Sequence, residues 1–174
     1  MAPKVEVRGV VYLMLREVFP NLGEVVDPKL GKLFEEVEAD GWYGAELYVQ
    51  ARGFLAEHMS PVVSALVGTR LIDLFKEQLR DLNIDSIQEL AERGNEVCGE
   101  NVRGADAGKW TVEEYRAGRA VLSYEGSFAG PGLCVGIMNR VLELAGAYGV
   151  RVTVVEDRAQ GGAVDRYLLE WMEP

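Results

Sequence analysis

The stretch Ala120-Val121-Leu122-Ser123-Tyr124, followed by Glu125-Gly126-Ser127-Phe128-Ala129-Gly130-Pro131-Gly132 and then Leu133-Cys134-Val135-Gly136-Ile137-Met138, decides the fold. Its first five residues end a β-strand, the glycine-rich eight form a corner, and a very apolar helix begins near Leu133. Cys134, Ile137, Met138, Val141, Ala145 and Tyr148 follow i, i+3, i+4 spacing, and Leu133, Leu142 and Leu144 widen the apolar surface beyond one stripe. A helix with so little solvent face belongs between a sheet and a helical layer. It is the expected spine of the fold and the floor of any pocket.

Outward from this spine the chain alternates. Upstream, Trp110-Thr111-Val112-Glu113-Glu114-Tyr115, the turn Arg116-Ala117-Gly118-Arg119 and Ala120 to Tyr124 form a hairpin. Downstream, Gly149 is read as the helix C-cap and Val150 to Val155 as a strand with Val150, Val152 and Val154 on one face. Gln160-Gly161-Gly162 turns the chain into a last strand, on which Tyr167, Leu169 and Trp171 alternate.

Before residue 109 the period is helical. A buried helix runs from Gly9 to Phe19 and stops at Pro20-Asn21-Leu22-Gly23. Asp27-Pro28 is a cap followed by proline, opening a helix through Leu33, Phe34 and Val37 that Gly41 closes. A third helix spans Ala45 to His58. Ser60-Pro61 repeats the cap signal and opens the longest amphipathic run, from Val63 to Leu82. The capping box Ser86-Ile87-Gln88-Glu89 starts a weaker helix through Val97, and Asn101 to Gly108 reads as a loop. The expectation is one α+β domain over residues 1–174. A helical half (1–103) precedes a four-stranded antiparallel sheet (109–174) whose two hairpins flank one long buried helix.

Composition bounds the function. A chain of 174 residues can bury roughly 70% of its unfolded surface without metals or disulfides. The net charge of −10 with scattered basic residues repels phosphate backbones, which argues against nucleic acid and anionic membranes as partners. Two cysteines without C-x-x-C spacing, Cys98 and Cys134, point to reduced thiols. With no apolar run of about 18 residues and no signal-peptide pattern, the chain reads as cytoplasmic.

Catalytic and metal motifs are absent from this reading. His58 is the only histidine and has no ligand spacing around it. Glu57-His58-Met59-Ser60 places three reactive groups close in sequence, but adjacent helix positions do not face one another. Gly126-Ser127-Phe128-Ala129-Gly130 puts its serine one place early for a nucleophile elbow, and Gly130-Pro131-Gly132 reads as a tight corner. Glu156-Asp157-Arg158 and Asp165-Arg166 read as a charged hairpin end, and Cys134 as a small core residue.

Leu122-Ser123-Tyr124-Glu125-Gly126-Ser127-Phe128, with Gly132-Leu133 and Gly136-Ile137 after it, resembles the haem nitric oxide/oxygen-binding (H-NOX) family, where a strand ending in Tyr-x-Ser-x-Arg runs into Gly-Leu and a buried helix. Val7-Arg8-Gly9-Val10-Val11 looks like that family's opening, and Asn95-Glu96-Val97-Cys98 falls near its haem-ligating histidine. Tyr124 matches the motif tyrosine, whereas Gly126 stands for the serine and Phe128 for the arginine, two of the donors that hold haem propionates. The C-terminal half is also similar to 4-vinyl reductase-like sensor domains and the TRAPP fold. Ala159 and Asp165 stand where those domains carry zinc-binding cysteines.

The resemblances imply a non-catalytic sensor or binding module that holds a small apolar ligand and signals to a protein partner or a second copy of itself. Two alternatives remain open: a haem-based gas sensor with Cys98 as axial ligand, and a TRAPP-like scaffold with a filled core. The expected pocket residues are Leu133, Ile137, Met138 and Val141 from the central helix and Leu71 and Phe75 from the long helix. Tyr124 and Phe128 join them from the corner, together with Cys98.

Overall fold

The structure, a computed structural model, describes residues 5–81, 89, 93, 95, 96, 98–104, 107–126 and 130–172, without the side chains of 75 and 77–81. The N-terminal half opens with β1 (Glu6–Arg8) and α1 (Gly9–Val18), followed by α2 (Leu22–Val25) and α3 (Pro28–Glu36). Then come β2 (Trp42–Gly44), α4 (Glu46–His58), the 21-residue α5 (Pro61–Asp81) and β3 (Val102–Arg103). The expected caps are in place. Asp27 accepts the Lys29 N–H at 2.8 Å ahead of Pro28, and Ser60 Oγ accepts the Val63 N–H at 3.3 Å.

A three-stranded sheet, ordered β2-β1-β3, corrects the sequence reading in this half. Val7 pairs with Tyr43 on one side and Val102 on the other, so the segment read as a loop from Asn101 to Gly108 contains β3. These strands are two or three residues long, too short to show a period of two. The chain passes from β1 into α1 without a linker. Gly9 permits this, because a Cβ there would lie 1.9 Å from the Glu38 carbonyl oxygen. The core of this half gathers Val7, Tyr12, Leu15, Leu30, Phe34 and Ala51. The buried Tyr12 hydroxyl is used both ways: it donates to the Gly44 carbonyl at 2.6 Å and accepts the Tyr48 N–H at 3.3 Å.

The C-terminal half is β4 (Lys109–Arg116), β5 (Arg119–Glu125), α6 (Pro131–Leu144), β6 (Tyr148–Glu156), a short 3₁₀ turn (Arg158–Gln160) and β7 (Asp165–Met172). The sheet order is β4-β5-β7-β6, antiparallel throughout. The register sets Ala120 beside Leu169, Leu122 beside Tyr167 and Tyr124 beside Asp165, which brings the apolar alternation of both strands to one face. Cys134, Met138 and Leu142 of α6 pack on that face with Tyr167 and Trp171.

Helix α6 starts two residues earlier than expected, with Pro131 in its first turn, and ends before Tyr148. Its stop is a Schellman turn: Gly146 has φ +90°, its N–H reaches the Glu143 carbonyl, and the Ala147 N–H reaches that of Leu142. Tyr148 therefore lies on β6, 51% exposed, and not on the helix stripe. Gly149, read as the cap, has φ +62° where the β6–β7 register breaks. The Ser86–Gln88 part of the capping box, and the weaker helix at Leu90, Ala91 and Val97, lie outside the described residues.

The two halves are joined by α5 against α6, and the seam is made of small residues. A Cβ on Gly68 would lie 2.2 Å from the Leu133 carbonyl oxygen, and one on Gly136 would lie 1.8 Å from that of Ala65. Across the same contact Thr69 Oγ1 donates to the Gly136 carbonyl at 3.4 Å and Arg140 pairs with Asp73 at 2.7 Å.

Candidate functional site

Between the two core clusters lies a cavity of about 800 Å³ with mostly apolar walls. Its helical wall is Val11, Met14 and Leu15 of α1, Leu55 of α4 and Val67 and Ile72 of α5. Leu133, Ile137, Met138 and Val141 of α6 and Ala120, Leu122 and Leu169 of the sheet close the other side. Four helices and a sheet that each need to bury an apolar face meet here without interpenetrating. The clusters stay separate, and the volume of a small-molecule site is left between them.

Of the residues expected from sequence, Cys98, Tyr124, Leu71, Leu133, Ile137, Met138 and Val141 all line this cavity. Phe128 and the Phe75 side chain lie outside the described residues. Several wall residues were not anticipated: Val11, Met14 and Leu15, Tyr48 and Arg52, and Trp110. Arg52 had a legible signal. It sits in the stripe Tyr48, Ala51, Arg52, Leu55 of α4, whose first two members are buried, and an arginine on the core side of a helix is unusual.

Polar groups enter the wall at few places. Asn95 brackets the backbone of Trp110, its amide donating to the carbonyl and its oxygen accepting the N–H, each at 2.7 Å. This fixes β4 against the segment that carries Cys98. Although Cys98 is exposed as a residue, protein crowds its thiol and pushes its pKa above the ordinary thiol value, and a hydrogen bond with Trp110 opposes that shift. The fully buried Cys134 thiol is pushed up to about 12 by burial, while a hydrogen bond with Tyr167 acts the other way. Asp165 and Cys98 add to the rise and Arg52 opposes it. Tyr48 is likewise raised by burial and lowered by the nearby Arg52 guanidinium.

The strand-to-helix corner is packed tight. The Tyr124 hydroxyl donates to the Ala107 carbonyl at 3.2 Å, and its ring stacks at a tilt on Trp110, centroids 4.7 Å apart. A Cβ on Gly126 would lie 2.6 Å from both the Gly108 Cα and the Tyr124 hydroxyl oxygen. Glycine at 126 is thus required by contact, and a serine side chain does not fit there.

The reactive groups noted elsewhere are engaged structurally. His58 Nδ1 contacts the Phe54 carbonyl at 2.8 Å and its ring stacks on Phe54 in an exposed position, while Ser60 caps α5. Asp165 is 4% exposed and accepts the Arg158 N–H at 2.8 Å, and Arg166 bridges Glu113 and Glu156. Among the described residues no cluster of three His, Cys, Asp or Glu side chains could hold a metal ion, and no helix is long and apolar enough to cross a membrane.

No family model matches the sequence, and no curated protein does. The solved structures do. An unliganded Fe(II) H-NOX protein from K. algicida superposes with TM-score 0.70 at 12% identity, covering 96% of this chain and 97% of that one. An H-NOX protein from S. oneidensis in the Fe(II)NO state gives 0.68 at 14% identity, over 95% and 99%. An H-NOX domain from Shewanella oneidensis in the Fe(II)CO state gives 0.63 at 11% identity, over 96% and 99%. The chain has the H-NOX fold over nearly its whole length. The propionate cradle that the motif implies does not fit this corner, since the tyrosine hydroxyl is bonded to Ala107 and the place for a serine is filled.

Proposed function

We propose that this protein is a non-catalytic cytoplasmic binding module that holds a small apolar ligand between its two halves and signals the occupancy to a protein partner or a second copy of itself. The cavity of about 800 Å³ between two separately packed cores carries this reading. A scaffold with a filled core would not leave that volume. A ligand that touches α1 and α4 on one side and α6 and the sheet on the other biases the packing of the halves, which is a differential contact able to shift a population. The test is a titration of the full chain with a neutral, environment-sensitive dye such as Nile red. Saturable emission that is lost in the cavity-filling variant Ile137→Trp supports the module. A flat titration of the folded protein sinks it.

A second reading, haem-based sensing through Cys98, has one observation in its favour: that thiol lines the cavity. Protein expressed with haem supplied decides it. A Soret band that disappears in Cys98→Ala would replace the first reading with the second.

A further inference from the structure

Arg52 stands where the apolar cavity meets a second, more polar space. That vestibule, of about 460 Å³, is lined by Gly126, Gly130, Asp157, Arg158 and Asp165, and Arg52, Gly130, Pro131 and Asp157 belong to both spaces. A guanidinium at the boundary of an apolar volume needs a partner, because removing a cation from water without one is costly. Among the described residues Arg52 has no ion pair or hydrogen bond, and its Nε is buried and unbonded. Its Nη1 lies 3.3 Å from where a Cβ on Gly130 would be, which places it at the start of α6. Gly130 gives that start no capping side chain that could pair with the guanidinium.

The acidic neighbours are already engaged. Asp157 accepts the Ala159 N–H at 2.8 Å, and Asp165 accepts the Arg158 N–H at 2.8 Å. The second cation of the vestibule, Arg158, donates Nη1 to the Gly126 carbonyl at 2.7 Å. What remains is one guanidinium fork at the end of an apolar chamber. A fork of this kind matches one carboxylate with two parallel hydrogen bonds. A phosphate dianion suits the place less well, since its second charge would face Asp157 and Asp165.

We propose that Arg52 anchors the single carboxylate of an amphipathic ligand whose apolar body fills the cavity. This rests on the binding-module reading and names the chemical class of its ligand. The residue belongs to α4 and reaches the strand-to-helix corner from the helical half, so it supplies a cation by a different element from the one that the Tyr-x-Ser-x-Arg motif uses.

The experiment displaces Nile red from the full chain with dodecanoate, dodecanol and dodecyl phosphate, at a pH where the carboxylate is ionised. In the wild type dodecanoate should compete about tenfold or more better than dodecanol, the scale of a charge-assisted hydrogen bond that replaces none. Arg52→Met should erase that preference and leave dodecanol unchanged, which shows at once that the cavity is intact. Equal competition by acid and alcohol in the wild type overturns the proposal, as does a preference that survives in Arg52→Met. Dodecyl phosphate outcompeting dodecanoate overturns the assignment of a carboxylate. If neither the dye nor any amphiphile binds the folded wild type, the binding-module reading falls and takes the anchor with it. If Arg52→Met loses dodecanol as well, Arg52→Lys decides in its place: it retains charge without the fork, and a preference reduced but not abolished supports the assignment, while an undiminished one overturns it.

Discussion

The two cores solve the same problem differently. In the helical half the buried Tyr12 hydroxyl both donates and accepts, tying α1 to β2 and α4. In the sheet half the buried Tyr167 hydroxyl and Trp171 Nε1 have no N or O partner among the described residues, and a thiol, Cys134, sits fully enclosed beside them. One core uses its polar atoms to hold its elements in place. The other is held by strand pairing and by α6, and its Tyr167 hydroxyl meets only the weak Cys134 thiol. The cavity lies where these two differently built bodies meet, so what fixes their separation is the α5–α6 seam.

The seam is therefore the most sensitive place. Gly136→Val should lower the unfolding free energy by about 3 kcal/mol or more, because its side chain would begin 1.8 Å from the Ala65 carbonyl oxygen and neither helix backbone can yield without moving the other. A urea titration of the variant checks it. Wild-type stability in Gly136→Val would show that the halves can slide apart freely, and the separation of the two cores would lose its structural cause.

The two tyrosines test the contrast itself. Tyr12→Phe should cost about 1–3 kcal/mol, since it strands the Gly44 carbonyl and the Tyr48 N–H inside the helical core. Tyr167→Phe removes a hydroxyl whose partner is the Cys134 thiol, a weak hydrogen-bonding group, so it should cost less, under about 1 kcal/mol. Equal losses in the two variants, read from the same denaturant titrations, would erase the distinction drawn between the cores.

How much of this was legible in sequence follows from what carries a period. The hairpins, α5 and α6 were readable because their apolar residues repeat over enough turns or pleats to outweigh chance. The β2-β1-β3 sheet was not, because two or three residues hold no repeat and its pairings join Val7 to Tyr43 and to Val102, far apart in the chain. The α6 terminus was misplaced because three glycine and alanine positions, Ala145, Gly146 and Gly149, all suit a helix end, and only φ separates them. The pocket residues on α6 came from its face. Arg52 could have been found the same way, as the one cation in the α4 stripe, but the α1 wall could not, since whether a helix face ends in a core or at a cavity depends on how far its neighbours reach. The glycines of the seam signify something only as a pair on two helices, and one sequence does not show which helices touch.

The last effect concerns alkaline pH, and it orders the two cores along the pH scale. Burial raises Cys134 from 9.0 to about 12 and Tyr12 from 10.0 to about 12. For an acid whose folded value is raised, the native state retains a proton that the unfolded chain has lost. Stability is therefore full below the unfolded value and falls as pH rises through the window between the two. The sheet core should begin to lose stability near pH 9 and the helical core only near pH 10, and the thiol alone should account for about 1 kcal/mol by pH 10. Denaturant titrations across this range in wild type and Cys134→Ala separate the contributions. The variant should show a smaller first part of the decline, what remains there belonging to the other raised thiol, Cys98, and should retain the later part. An unchanged decline in Cys134→Ala would mean that the thiol is not held neutral by its burial, and the sheet core would then be less tightly closed around it than the helical core is around Tyr12.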